Sequence, residues 1–160
     1  MPKNVVKKLT TSAASAVSEI FESHRSNPQF INYGLNWSID QTKESLNHLA
    51  YGLEVSGRLV SVLFARKLHD SLFEIDMMQT HKDFLKSGYM SELFKYFLTE
   101  LLKSTEGQSG ERPEVWLEVH ELNHIAIEFY KKLGFTQTSR RLSYYPDGCA
   151  AVLLSLKVRA

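Results

Sequence analysis

Two side chains that can exchange protons, the Glu118 carboxylate and the Tyr130 phenol, stand twelve residues apart in the C-terminal half of the chain. Apolar and polar residues alternate over positions 115–120, the period of two that is typical of a β-strand. From Asn123 the apolar residues recur at helical spacing until Gly134, a residue type that commonly follows a helix end. The segment therefore predicts a strand carrying a carboxylate and then a helix carrying a phenol, which together form a candidate acid–base site.

The elements that position this site follow from the patterning of the rest of the chain. Apolar residues at intervals of two predict strands, those at intervals of three or four predict helices, and turn formers separate them. The segments 25–37 and 104–113 are rich in turn formers or polar residues and are predicted to be loops. The predicted strands cover 5–9, 51–55, 59–68, 72–80, 115–120, 135–145 and 150–158, and the predicted helices cover 12–21, 38–49, 88–103 and 123–133.

Some of these predictions rest on particular side chains. Ser12 is expected to cap the first helix, and Ser38 the second. The second helix is expected to turn Ile39, Leu46 and Leu49 towards the core.

This order of elements predicts an α+β fold in one domain, residues 1–160, with about seven strands in one mixed, mostly antiparallel sheet and four flanking helices. The strands 72–80 and 115–120 flank a helix, so we expect them to lie parallel and adjacent. Ligands favour the ends of such strands. The candidate carboxylate lies at one of these ends.

Composition excludes several classes of function. The chain has 19 basic and 18 acidic residues in 160, without a long run of either, so a nucleic-acid partner is not expected. The six histidines do not fall at metal-ligand spacings, and no metal is expected. Cys149 is the single cysteine, which fits a reducing compartment. With neither a signal-peptide pattern nor an apolar run of transmembrane length, we expect a soluble, cytoplasmic protein without a membrane partner.

The C-terminal half resembles the GNAT family of N-acetyltransferases, and within it the bacterial ribosomal-protein alanine N-acetyltransferases. The residues that carry the resemblance are WLEVHELNHIAIEFYKKLGF, followed by SRRLSYYPDGCAAVLLSL. The Leu-Glu-Val, the Asn five residues after the Glu, the Tyr twelve after it, the Gly-Phe and the Tyr-Tyr all stand at the spacing of that subfamily. The short element Trp37-Ser38 is also similar.

The resemblance implies acetyl-CoA as the acetyl donor, bound at a V-shaped opening between the third and fourth strands of the family. It implies that the donor's pyrophosphate lies on the loop that enters the helix 88–103, where free backbone N–H groups and the helix dipole favour an anion. It also implies that main-chain groups at the end of the preceding strand contact the pantetheine arm. The residues concerned are Leu85, Lys86, Ser87, Gly88, Tyr89 and Met90 in the loop, and Met78, Gln79 and Thr80 in the strand.

The same resemblance assigns roles at the candidate site. Glu118 is the expected general base, directly or through a water, and Tyr130 the general acid that protonates the departing thiolate. Asn123 is expected to cap its helix and to contact the donor's arm. The acceptor is expected to bind beside Glu118, Tyr144 and Tyr145, with the loop 32–37 and its Trp37 opposite. His120 and His124 flank the site and could help a proton relay, but we expect them near the surface, and Cys149 is expected to lie outside the reaction.

Three functions remain open from the sequence. The first is transfer of acetyl to the N-terminal α-amine of a protein, as in the ribosomal-protein alanine enzymes. The second is acetylation of a small-molecule amine or of lysine. The third is a non-catalytic GNAT-like binding module, because Leu85 and Met90 stand where the family usually has Arg or Gln and Gly or Ala.

Overall fold

The structure, a computed structural model, describes residues 3–106 and 110–159. Within that part of the chain the strands are β1 (Asn4–Lys8), β2 (Leu49–Val55), β3 (Arg58–His69), β4 (Leu72–Thr80), β5 (Glu114–His120), β6 (Thr136–Arg141) and β7 (Ala151–Lys157). The α-helices are α1 (Ala14–Glu22), α2 (Pro28–Asn32), α3 (Ile39–Ser45), α4 (Tyr89–Thr105) and α5 (His124–Lys132).

All seven strands form one open sheet in the order β1-β2-β3-β4-β5-β7-β6. Every neighbouring pair is antiparallel except β4 and β5, which are parallel and are connected through α4. The predicted α+β class and the predicted parallel pair are therefore confirmed. β2 and β3 form a hairpin whose turn consists of Ser56 and Gly57, and their φ angles of 50° and 82° suit a tight two-residue turn.

The two faces of the sheet bury separate cores, because successive side chains of a strand point to opposite faces. On one face Leu53, Leu63 and other strand residues pack with Phe94 and Phe97 of α4. On the opposite face Val62 and other strand residues pack with α1 and with the segment around α2. The site must therefore form where the covering helices and the sheet leave an opening.

Two segments of the N-terminal half differ from the sequence prediction. The segment 25–37 was predicted as a loop but contains α2, because Asn27 caps it by accepting the Gln29 N–H at 3.1 Å and Pro28 suits the first helical position. The first helix begins at Ala14 after a 3₁₀ turn that includes Ser12, which does not act as the cap.

The prediction for α3 is partly wrong. Ser38 caps it as expected, in a reciprocal arrangement with Gln41. Its inward side, however, carries the buried Thr42 and is followed by the buried Leu46. Ile39 is 44% exposed, and Leu49 belongs to β2.

The C-terminal half also has different element ends. β6 ends at Arg141 rather than at 145, because Ser143 has a φ of 51° and the N–H groups of Tyr144 and Tyr145 both bond to the Cys149 carbonyl at 3.1 Å. Both tyrosines therefore lie in the connection to β7. α4 continues to Thr105, so the predicted loop 104–113 begins later, and its positions 107–109 lie outside the described residues. In the described part of the chain, no helix has the length and apolar composition needed to span a membrane.

A close approach at Gly52 gives the first prediction. Gly52 is buried in β2, and a Cβ there would lie 2.5 Å from Leu59 Cδ1 and 2.9 Å from Leu9 Cδ2. Since both leucines are buried, Gly52→Ala should lower the free energy of unfolding by about 1–3 kcal/mol, the usual cost of overpacking. Urea denaturation followed by circular dichroism measures the loss.

Leu59→Ala provides the matching control. Because a shorter side chain at this position makes room for the added methyl group, the double variant should lose less stability than the sum of the two single variants. Additive losses would show that the contact with Leu59 is not the cause.

Candidate active site

The candidate site lies where β4 and β5 separate. Their parallel pairing runs from Leu72 with Glu114 to Ile75 with Leu117 and goes no further, although both strands continue. The resemblance implied an opening between the third and fourth strands, but β3 and β4 remain paired from Ser61–Thr80 to His69–Leu72. The opening is therefore between the fourth and fifth strands.

A β-bulge at Asp76 lies where the opening begins. Phe64 of β3 pairs with Met77 and Ala65 pairs with Ile75, so Asp76 is an extra residue in β4 without a partner on β3. A bulge bends its strand and increases the local twist, and this one immediately follows Ile75, the last residue of β4 that pairs with β5. The sequence reading did not anticipate this bulge, since one extra residue leaves no clear mark on an apolar pattern.

Glu118 and Tyr130 line the same cavity, a small space of about 40 Å³ in this opening. Glu118 lies on the face of β5 opposite to Leu117 and Val119, which pack in the core against α4. Tyr130 comes from α5, which packs on that core. Where β4 and β5 separate, the space between them is open to both faces of the sheet. The Glu118 carboxylate and the Tyr130 phenol, which come from different faces, can therefore line the same cavity.

The local structure around Tyr130 keeps its phenol neutral. Asn123 caps α5 by accepting the Ala126 N–H at 3.3 Å, as the sequence predicted. The Tyr130 ring lies edge-on to Phe129 and Phe135, with ring centres 5.9 Å apart in both pairs. Burial raises the pKa of Tyr130 to about 12, so the side chain carries a proton that it can donate throughout the neutral range.

Glu118 is paired with a cation in this structure. Its carboxylate lies 3.3 Å from the Arg141 guanidinium, and 17% of its side chain is exposed. Arg141 also lies over the Tyr144 ring, 5.8 Å from the ring centre. Burial and the neighbouring Glu118 carboxylate raise the pKa of Tyr144. An amine that approaches Glu118 must therefore displace or pass Arg141.

A second group of charges lies next to the bulge. The Arg66 guanidinium donates to both Asp76 carboxylate oxygens, at 2.9 and 3.1 Å, and to Glu74 at 2.7 Å. Burial raises the pKa of Glu74, and Arg66 opposes the rise. The Arg66 guanidinium thus offsets the negative charge of Asp76, the residue of the bulge that has no partner on β3.

The predicted phosphate loop has the shape of an anion site at a helix start. Gly88 caps α4 with a φ of 78°, Lys86 has a φ of 59°, and a Cβ added to Gly88 would meet no atom within 4 Å. The first N–H groups of a helix have no acceptor within the helix. Met90, whose bulk was a reason to consider a non-catalytic module, packs its side chain against the core under α4. The residues present therefore fit a phosphate group.

The three strand residues predicted to contact the donor's arm differ in their surroundings. Met78 lines the cavity. Thr80 is buried, with its carbonyl 2.7 Å from His24 Nε2 and its hydroxyl 2.7 Å from the Ser61 hydroxyl. Gln79 pairs with Val62 of β3. Because β5 no longer pairs with β4 beyond Ile75, the β5-facing edge of these residues borders the opening.

The residues predicted to contact the acceptor lie in different places. Tyr145 lines the cavity, and Tyr144 stands beside Glu118. Trp37 does not line it: the partly buried indole packs against the core under α1, 5.2 Å from the Phe64 ring centre and 6.0 Å from that of Phe21. Tyr33, from the loop before Trp37, lines the cavity instead. Of these two residues of the loop 32–37, Tyr33 reaches the cavity and Trp37 does not.

His120 is the main residue that sequence reasoning placed wrongly. It was expected near the surface, yet it is 1% exposed and lines the cavity. Its Nε2 lies 2.8 Å from Asp147 Oδ2, and its Nδ1 accepts the Leu122 N–H at 3.1 Å. The alternation of β5 places position 120 on the same face as Glu118, which is the one signal that could have identified it.

A mixed sheet with two separating parallel strands and a glycine-capped loop at the start of the helix between them is the architecture of an acetyltransferase of the resembled class. Residues 14–135 match the family described as "Acetyltransferase (GNAT) family". The chain belongs to this family, and it is an acetyl-CoA-dependent N-acetyltransferase. A comparison with curated protein sequences gives no match.

Solved structures show the same fold at low sequence identity. The ribosomal-protein-S18-alanine N-acetyltransferase of Escherichia coli is 23% identical with a TM-score of 0.80, covering 99% of this chain and 96% of its own. Ard1 of Thermoplasma volcanium is 20% identical with a TM-score of 0.82, and the match covers 98% of this chain and 99% of Ard1. The yncA protein of Salmonella typhimurium, solved with its cofactor acetyl-CoA, is 12% identical with a TM-score of 0.77, covering 99% and 95%.

The position of Trp37 gives a prediction that separates packing from substrate binding. Trp37→Ala should lower the free energy of unfolding by about 3 kcal/mol, the low end of the range for losing a large aromatic ring, because the indole is partly buried against the core. Trp37→Phe keeps an aromatic ring there, so its acceptor KM should stay within about twofold of the wild type. Thermal denaturation and steady-state kinetics measure the two effects. A large rise in acceptor KM for a stably folded Trp37→Phe would instead support contact with the acceptor.

Proposed function

We propose that this N-acetyltransferase acetylates the N-terminal α-amine of a protein, with acetyl-CoA as the donor. The observation that carries the proposal is the common cavity of Glu118 and Tyr130 at the separation of β4 and β5. The similarity in fold to the S18-alanine enzyme and to Ard1 adds support. The matching Leu-Glu-Val, Asn, Tyr and Tyr-Tyr positions of the sequence add more.

The free-energy cost of deprotonating the acceptor favours an α-amine over a lysine. An α-amine has a pKa of about 8, so its deprotonation at pH 7 costs about 1 kcal/mol, whereas a lysine with a pKa of about 10.4 costs about 4–5 kcal/mol. A partly exposed carboxylate that acts directly or through a water is adequate for the smaller cost. Glu118 is such a group, with about a sixth of its side chain open to solvent.

Each residue has a distinct part in the proposed reaction. Acetyl-CoA, when bound, supplies a thioester that an amine can attack. Glu118 attracts the acceptor's ammonium group in place of Arg141 and takes its proton. Tyr130 holds a proton on the opposite side of the opening and gives it to the departing sulfur. The loop 85–90 would hold the pyrophosphate through backbone N–H groups, Asn123 and the end of β4 would contact the arm, and Lys86 would add a positive charge.

The acceptor would enter on the side of the aromatic loops. Tyr33 and Tyr145 line this side, and Tyr144 stands beside Glu118. Phenol rings can both pack against a peptide backbone and bond to it, which suits an extended N-terminal segment. A small-molecule amine or a lysine side chain is the alternative acceptor.

Substitution of the two proton-transfer residues tests the mechanism. Glu118→Gln and Tyr130→Phe should each lower kcat by about 10²- to 10⁴-fold, the usual contribution of one general acid or base. The affinity for acetyl-CoA, measured by calorimetry, should change little because neither change removes the phosphate loop. Glu114→Gln on the same face of β5 and Tyr96→Phe in α4 are matched controls outside the cavity and should retain activity. Equal losses in the controls would contradict the assigned roles.

The raised pKa of Tyr130 makes a prediction about pH. Because burial raises that pKa to about 12, the phenol stays protonated up to about pH 10, and the wild-type kcat should show no alkaline decline from this residue below that value. A pH profile of kcat measures this. An alkaline limb below about pH 10 that disappears in Tyr130→Phe would show that the phenol loses its proton earlier.

A panel of acceptors tests the proposed substrate class. Peptides with a free N-terminal alanine should be acetylated at the α-amine, as located by mass spectrometry. The same peptides with a blocked N-terminus and an internal lysine should react far more slowly. Brisk turnover of polyamines or free amino acids without turnover of any peptide would overturn the N-terminal assignment in favour of a small-molecule acceptor.

A further inference from the structure

We propose that His120 is a positioning residue that holds two separate loops in place to form the acceptor side of the cavity. The acceptor side is the part of the cavity near Tyr33 and Tyr145, and the inference rests on the proposed function because that proposal assigns the acceptor to this side. Three observations support it: the partners of the two ring nitrogens, the two aromatic rings that enclose the imidazole, and the distance in sequence between the segments that it connects.

Both nitrogens of the His120 ring are committed to fixed partners. Nδ1 accepts the Leu122 N–H at 3.1 Å, so it carries no proton, and the proton of the neutral ring is on Nε2. Nε2 therefore donates to Asp147 Oδ2 at 2.8 Å. The other Asp147 oxygen accepts the Cys149 N–H at 3.0 Å. The carboxylate thus connects the end of β5 to the turn of the β6–β7 connection.

Two tyrosines enclose the His120 ring. The Tyr33 ring centre lies 4.7 Å away and the Tyr145 ring centre 4.5 Å away. Tyr33 also donates its hydroxyl to the Leu122 carbonyl at 3.2 Å. Both tyrosines line the cavity, whereas they belong to segments more than a hundred residues apart.

The committed nitrogens exclude other roles for this group of side chains. His120 cannot take a proton from the acceptor while Nδ1 accepts a main-chain N–H and Nε2 is protonated. The nearby Cys149 thiol would complete a three-residue set with His120 and Asp147. A metal on Nε2, however, would require the ring to lose its remaining proton while Nδ1 stays an acceptor. Burial and Asp147 also raise the pKa of the thiol, which disfavours a thiolate. What remains is a structural role at the edge of the site.

A pair of variants can separate the two hydrogen bonds. The amide group of glutamine can occupy the position of Nε2 and donate to Asp147, whereas that of asparagine can replace Nδ1 as the acceptor for Leu122. The acceptor KM should rise roughly tenfold or more in His120→Ala and His120→Asn, which lose the hydrogen bond to a charged group. His120→Gln should recover most of the loss. The Kd for acetyl-CoA, by calorimetry, should remain within about twofold in all three because the donor loop lies elsewhere.

Asp147→Ala tests the same bond from a loop residue whose loss leaves both cores intact. It should raise the acceptor KM as His120→Asn does, and the double variant should be no worse than either single one. The ring N–H proton of His120 should be visible by NMR in the wild type and should exchange rapidly in Asp147→Ala.

Several outcomes would overturn the inference. A fall in kcat at unchanged acceptor KM would make His120 part of the chemistry. A parallel loss of acetyl-CoA affinity would make it a general support of the fold. An acceptor KM that stays at the wild-type value in Asp147→Ala would also refute it. The KM is measured for whichever amine the wild type acetylates, so a failure of the N-terminal assignment leaves this test intact and is seen separately in the acceptor panel.

Discussion

The early end of the pairing between β4 and β5 is the constraint on which the site depends. These strands share only four paired positions before they separate, and the bulge at Asp76 lies where they part. An extra residue in β4 also changes which face each side chain meets: Ile75 packs with α4, while Met77 packs in the core under α1. A single extra residue at the point of separation therefore keeps apolar residues of β4 buried on both faces of the sheet.

The two cores support different parts of the site. α4 and α5 pack on one core, and they carry the loop 85–90 and Tyr130. The other core covers the N-terminal half of the sheet with α1 and the segment around α2, which leads to Tyr33. The residues proposed to act on the donor and the residues proposed to receive the acceptor thus depend on different sets of packed side chains. The end of β5 lies between them.

The sequence could predict those features that depend on residues close together in the chain. The alternation in β5, the Asn123 cap and the helix that bears Tyr130 are all local, and the parallel pair follows from the order of elements. Trp37 was misplaced because an aromatic residue in a loop gives no sign of whether it meets a core or a cavity. His120 was misplaced because its partners, Asp147 and Tyr33, are distant in the chain. The Asp76 bulge was missed because it is defined by pairing with β3 rather than by residue type.

The ion pair between Glu118 and Arg141 has a consequence for cations that compete with the acceptor. A bare carboxylate in a cleft attracts any mobile cation, including metal ions and polyamines, over a distance of about one Debye length. With the Arg141 guanidinium 3.3 Å from Glu118, the two side chains together carry little net charge, so this attraction is weaker. A cation held only by its charge gains little by displacing Arg141, whereas a ligand that also contacts the surrounding tyrosines can do so. Charge alone would therefore not be sufficient for a cation to occupy the position beside Glu118.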